Sequence, residues 1–187
     1  MRVIAGKFKS RRLKTLRGTA LRPTSDRLRE TLFNILGATV EGSLFVDVFA
    51  GSGAVGIEAI SRGAEQVIFI EKIAVAARLI RENLKSLEIT AGAEVLPVDA
   101  IRGLEQLASQ RALADIIFLD PPYARPQDYL RALEFVDESR LLAPGGLLIA
   151  EHTRKMELPV RLTKLERSRL VEQGDSALSF YRLALAA

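Results

Sequence analysis

Two clusters in this 187-residue chain have the residue types and spacing that chemistry needs. The first runs Leu44-Phe-Val-Asp-Val-Phe-Ala-Gly-Ser-Gly-Ala-Val-Gly56, from an apolar run through a glycine-rich turn into an amphipathic stretch. Gly51, Gly53 and Gly56 satisfy G-x-G-x-x-G, and Glu71 closes the next apolar run, 20 residues after Gly51. Glycines there let the backbone turn sharply and approach a ligand, while a carboxylate ending the second strand can accept from two ribose hydroxyls. The pattern predicts a site for an adenosine-containing cofactor, either a dinucleotide or S-adenosylmethionine. Asp47 favours the second: four residues before Gly51, its carboxylate would oppose a pyrophosphate but suit a cationic amino-acid moiety. Asp99 closes the third run, where a carboxylate could accept from an adenine amine.

The second cluster is Asp120-Pro-Pro-Tyr123, at the end of the apolar run that starts after Ala114. Two prolines fix φ twice and remove two backbone donors, which leaves a rigid turn presenting carbonyls and a carboxylate. The guest of such an acceptor-only cradle is an amine: Asp120 and the Pro121 carbonyl can each take one N–H of an exocyclic NH₂. Tyr123 offers a face on which a planar base can stack. His152 follows a later run as Glu151-His-Thr and reads as a polar strand end.

Positioning these residues requires a parallel sheet. Short continuous apolar runs at 44–49, 67–70, 94–98, 115–119 and 146–150 alternate with amphipathic helical stretches at 54–62, 73–87, 101–111 and 127–141. Runs apolar on both faces and separated by helices describe a sheet covered on both sides. The expectation is an α/β, doubly wound fold with right-handed crossovers, both clusters lying at carboxyl ends of its strands near the topological switch point. The tail, 161–171 and 179–185, alternates apolar with polar residues around a Gln173-Gly-Asp-Ser turn and should close the sheet as an antiparallel hairpin, making seven strands. Upstream, Ser25 is an N-cap for a helix carrying Leu28, Leu32, Ile35 and Leu36 on one face.

Charge separates the chain again. The net +4 conceals ten lysines and arginines against two acids in residues 1–30, a local +8, and 17 basic against 21 acidic residues beyond, a local −4. Residues 1–22 read as a basic β-hairpin arm and 23–187 as the main domain. Lys7, Lys9, Arg11, Arg12, Lys14, Arg22 and Arg27 are placed to grip an anionic partner, nucleic acid first. The absence of cysteine excludes a disulfide scaffold, thiolate metal sites and cysteine nucleophiles, and the 48% hydrophobic content excludes disorder. No apolar run approaches a membrane span and residues 1–12 lack a signal-peptide stretch, so a cytoplasmic protein without a metal is expected.

Here the motifs resemble a family. D-x-x-x-G-x-G, the acid ending strand two and Asp-Pro-Pro-Tyr after strand four are similar to class I S-adenosylmethionine-dependent methyltransferases acting on planar amino groups. RPTSDRLRETLFNIL (22–36) with DVFAGSGAVGIEAISRGA (47–64) looks more narrowly like the bacterial 16S rRNA guanine-N2 methyltransferases that modify guanine 966. That resemblance implies Asp47, Gly51 and Gly53 at the methionine end of the cofactor, Glu71 at the ribose, and Asp99 with Ala100 at the adenine. It implies Asp120, Pro121, Pro122 and Tyr123 at the target base, and Arg22, Pro23, Thr24 and Arg27 in a segment that closes over cofactor and meets RNA. The other readings are an adenine-N6 or other amino-methyltransferase, and a dinucleotide-binding module. The latter leaves the Asp120 cradle unexplained, and 187 residues leave no room for a sequence-specific DNA-recognition domain.

Overall fold

The computed structural model describes residues 1–15 and 25–184, in two compact units, Met1–Asp99 and Ala100–Ala187. In the first, Ser25 caps helix α1 (Asp26–Leu36) by accepting the Leu28 N–H at 3.1 Å, and Gly37 ends the helix at φ +53°. Leu28, Leu32 and Leu36 lie on its buried face as their spacing predicts, but Phe33 is buried there and the expected Ile35 is only half-buried. A 3-10 turn (Gly37–Val40) leads to β1 (Leu44–Val48), α2 (Ala54–Ser61), β2 (Gln66–Ile70), α3 (Ala74–Ser86) and β3 (Ala93–Leu96). The strands are parallel in the order β3-β2-β1, with Asp47 opposite Phe69 and Val48 opposite Ile70.

Helix α2 is buried nearly all round, Ile60 alone being half-exposed, which its Ala-Val-Gly-Ile-Glu-Ala-Ile composition allows. Gly56 makes that possible. A Cβ there would stand 2.3 Å from the Phe69 ring and 2.9 Å from Val67, so only glycine lets the helix lie this close to β2.

Among the described residues the arm pairs antiparallel as expected, over one bridge, Arg2 with Arg12, around turns at residues 5–10. Other backbone groups of these residues bond the helices that follow. Ile4 and Ala5 donate to the Glu58 carboxylate at 2.7 and 2.9 Å, Lys7 N–H donates to the Ser61 carbonyl, and Lys14 N–H to Asn83 Oδ1. Glu58 is buried and also accepts from Arg62 at 2.8 Å. The fully buried Arg29 donates to the Arg2 carbonyl and to Asp26, which ties the arm to α1.

The second unit holds α4 (Ala100–Ser109), β4 (Ala114–Leu119), α5 (Pro126–Glu138), β5 (Leu142–Thr153), β6 (Leu165–Gln173) and β7 (Ser176–Leu183). β4 and β5 are parallel, β7 is antiparallel to both β5 and β6, and the order is β4-β5-β7-β6. The structure departs from expectation at two places here. β5 runs twelve residues, not five: it begins at Leu142, partner of Ala114 on β4, and its pairing with β7 continues through Glu151, His152 and Thr153. His152 is the penultimate residue of the strand, a strand end as read, but it is buried and its ring nitrogens bond Ser179 Oγ and the Thr153 carbonyl, both at 2.9 Å. The tail strand begins at Leu165, with Arg161 contributing only an isolated bridge to Glu166. The buried Asp137, near the end of α5, sets that start by accepting from the N–H groups of Thr163, Lys164 and Leu165 at 3.1, 2.7 and 2.6 Å.

Candidate active site

The glycine-rich turn is built at the carboxyl end of β1. Phe49 and Ala50 both donate to the Ile70 carbonyl, at 3.0 and 3.2 Å, and Gly53 N–H returns to the Ala50 carbonyl at 2.7 Å. Phe49 has φ +64°, rare for a bulky residue, and Gly51 and Gly53 follow at +55° and +76°. Three left-handed residues in five make a tight turn in which Gly53 packs against Ile80 and Phe69, and the strain at Phe49 is of the kind held at functional sites. Gly53 then opens α2.

Two carboxylates organise this turn. Glu71 Oε2 accepts from Gly51 N–H and Oε1 from Ile73 N–H, both at 2.8 Å, so one side chain staples the turn after β1 to the turn after β2. Each oxygen has a second lone pair, so acceptor capacity for ribose hydroxyls remains. Asp47 Oδ2 accepts from Gly56 N–H at 2.8 Å, inside α2. It is 2% exposed, and burial pushes its carboxyl up to about 8; the Gly56 bond opposes the rise and the nearby Glu71 charge adds to it. Asp47, Gly51, Gly53 and Glu71 are thus brought together as the spacing predicts. Asp99 is exposed at the end of the first unit, and Ala100, half-buried, is the first residue of α4.

In the second unit Asp120-Pro-Pro-Tyr123 leaves the carboxyl end of β4, with Pro121 buried and Asp120, Pro122 and Tyr123 half-buried. Arg125 N–H donates to the Pro122 carbonyl at 2.8 Å, closing a turn, and Pro126 starts α5. The Tyr123 hydroxyl lies 3.3 Å from Ser176 Oγ. Tyr129, which the sequence motifs do not single out, has its hydroxyl within hydrogen-bond distance of the carbonyls of Pro121, at 3.2 Å, and Glu151, at 2.9 Å, with one proton to donate between them. Its signal was available only as an aromatic on the buried face of α5.

Of the expected cationic contacts, Lys7, Lys9, Arg11, Arg12, Lys14 and Arg27 are exposed or half-exposed. Lys9 and Arg27, with Arg2, line a cleft of about 370 Å³ between arm and α1. Lys14 is instead paired with Glu82 at 2.8 Å, and Arg11 donates to the Ser86 carbonyl at 2.9 Å, both on α3. Arg22 and Thr24 lie outside the described residues. Among the described residues no cluster of His, Cys, Asp and Glu could hold a metal ion, and no helix is long and apolar enough to cross a membrane.

A family model described as conserved hypothetical protein 95 matches residues 1–182. The chain belongs to this family. A candidate rRNA methyltransferase of Bacillus subtilis (strain 168) is 41% identical over 182 residues, 97% of this chain and 98% of that protein. Ribosomal RNA small subunit methyltransferase D of Haemophilus influenzae is 35% identical over 184 residues, 98% of this chain and 92% of its own length. Among solved structures, a candidate methyltransferase of Escherichia coli has a TM-score of 0.83 at 31% identity, covering 98% of this chain and 97% of that one. This chain has the α/β fold of class I methyltransferases: seven strands, mostly parallel, closed by an antiparallel hairpin.

Proposed function

We propose that this protein transfers a methyl group from S-adenosylmethionine to the exocyclic N2 amine of a guanine in small-subunit 16S rRNA, guanine 966 being the expected nucleotide. The observation that supports the reading is the turn at the end of β4, where Asp120 brings a carboxylate and Pro121 a carbonyl, and neither Pro121 nor Pro122 has an N–H to offer, a set that suits an amine. The names of the relatives that span nearly the whole chain supply the RNA class.

The residues of the first turn fit the cofactor. Buried Asp47 ionises readily only beside a cationic partner, Glu71 has acceptor capacity for ribose hydroxyls, and the left-handed Gly51 and Gly53 give the tight turn that brings them together. When bound, the cofactor supplies a sulfonium methyl that is already electrophilic. Asp99 and Ala100 would lie at the adenine, and Thr24 is a further cofactor contact expected from the resemblance.

The chain's task is then at the amine, whose lone pair is delocalised into the guanine ring. Accepting its two N–H groups at Asp120 and Pro121 favours a pyramidal nitrogen with a directed lone pair, while Tyr123 stacks on the base and Pro122 keeps the turn stiff. Positioning and preorganised acceptors supply most of the rate. Asp120 is a positioning acceptor, and the surplus proton passes from the nitrogen to solvent water after transfer. A base inside a helix cannot reach such a turn, so the nucleotide is flipped out or taken from a loop. The arm, residues 1–22, grips RNA phosphates through Lys7, Lys9, Arg11, Arg12, Lys14 and Arg22, with Arg27 beside it, in the cytoplasm where ribosomal subunits are made.

The test is tritium transfer from labelled cofactor to unmodified small-subunit particles and to naked 16S rRNA, with the product nucleoside identified and the position mapped. Labelled N2-methylguanosine is the expected product; label on adenine would overturn the reading. Asp120→Ala should lower kcat by roughly 100-fold or more, as loss of a preorganised group does, with cofactor affinity retained by calorimetry.

A further inference from the structure

The peptide unit between Pro121 and Pro122 has a carbonyl but no N–H, and Pro121 lacks one as well, so backbone hydrogen bonds from these residues cannot fix the direction of the Pro121 carbonyl. Its anchor comes from α5. Tyr129, the fourth residue of that helix, is fully buried, and its hydroxyl reaches the Pro121 carbonyl at 3.2 Å and the Glu151 carbonyl at 2.9 Å. Leu119 and Ala150 are partners in the β4–β5 register, so the phenol bridges the two strands just beyond that rung.

A phenol has one proton and donates to one carbonyl at a time, whereas a carbonyl has two lone pairs. Burial raises the Tyr129 pKa far above its ordinary value, and the charge of Asp120 raises it further, so the group stays a donor at any working pH. We propose that Tyr129 is a positioning residue for the transfer step: it orients the Pro121 carbonyl so that one lone pair faces the phenol and the other is presented to an N–H of the target amine. The inference rests on the reading of the Asp120 turn as the amine receptor and adds the element that aims it.

Tyr129→Phe keeps the ring and removes the aim. Tyr181→Phe is the matched control: Tyr181 is equally buried and donates at 2.8 Å to the Pro159 carbonyl, at a place given no part in the reaction. Both variants and the wild type are compared for kcat and KM on small-subunit rRNA, for cofactor affinity by calorimetry and for Tm, with rates taken well below melting. The expected result is a kcat reduced roughly 10–100-fold in Tyr129→Phe, the range a misplaced reacting group produces. KM and cofactor affinity stay within about twofold, and Tyr181→Phe lowers Tm comparably with kcat intact. A Tyr129→Phe kcat within twofold of wild type overturns the inference. So does a loss of kcat that follows Tm equally in both variants, or failure of Tyr129→Phe to fold. A wild type that transfers no methyl group to this RNA overturns the functional reading itself.

Discussion

Asp47 shows how much one side chain depends on its surroundings. As a residue type it is an ordinary acid; under α2, 2% exposed, its carboxyl titrates near 8 instead of 3.8. The folded chain holds that proton more tightly than the unfolded one. The group therefore favours folding fully below about pH 4, and that contribution is lost as pH rises toward 8. Asp47→Asn keeps an acceptor for the Gly56 N–H without the charge. Thermal unfolding at pH 8 should show the variant more stable than wild type by roughly 3 °C or more, the shift about 1 kcal/mol gives in a chain of this length, with a much smaller difference at pH 4. Cofactor titration should show the opposite sign, a loss of tenfold or more in affinity, because the cationic partner loses its anion. Equal stability curves at both pH values would mean that Asp47 is not held in its neutral form.

At the scale of elements, the glycine turn functions because α2 lies so close to β2. The gap is set by Gly56, whose missing Cβ leaves the space that the fully buried Phe69 ring occupies. Gly56→Ala should destabilise by about 1–3 kcal/mol, measured by denaturant midpoint, since overpacking a closed core forces backbone shifts. Cofactor affinity should fall with it, because the Gly56 N–H to Asp47 bond moves too. The glycine pattern made the turn itself readable in advance, but not that the Glu71 carboxylate accepts from the Gly51 and Ile73 N–H groups. Less readable were the parts set by distant partners. His152, read as a polar strand end, is buried there because Ser179 on β7 meets the imidazole. Tyr129 looks like one more core aromatic until the Pro121 carbonyl is found beside its hydroxyl.

For the whole molecule, the net charge of +4 is a near-cancellation between a +8 N-terminal segment and a −4 remainder. The arm is no loose tail. Among its described residues Glu58, Ser61, Asn83 and Arg29 each bind its backbone, which fixes the stretch that carries Lys7, Lys9, Arg11, Arg12 and Lys14. They are not equivalent. Replacing Lys9 and Arg12 by alanine should weaken RNA binding and reduce the slope of log affinity against log salt by roughly 0.7–0.9 for each phosphate no longer neutralised. Lys14→Ala should change the slope less, since Glu82 already neutralises that ammonium at 2.8 Å. Filter binding across a salt series measures both, and an unchanged slope in the Lys9 and Arg12 variant would place the RNA elsewhere.

The local rules of the chain were sufficient for the order of strands and helices, the glycine turn, the capped start of α1 and the Asp120 turn, because each depends on periodicity or on the backbone freedom of neighbouring residues. What burial and long-range contact decide was not written locally. The neutral tendency of Asp47 comes from α2 lying over it, and the arm's anchorage from Glu58, more than fifty residues away. The direction of the Pro121 carbonyl comes from a phenol on the following helix. Electrostatics and hydrogen-bond geometry depend on distance in space, which a sequence sets only through the completed fold.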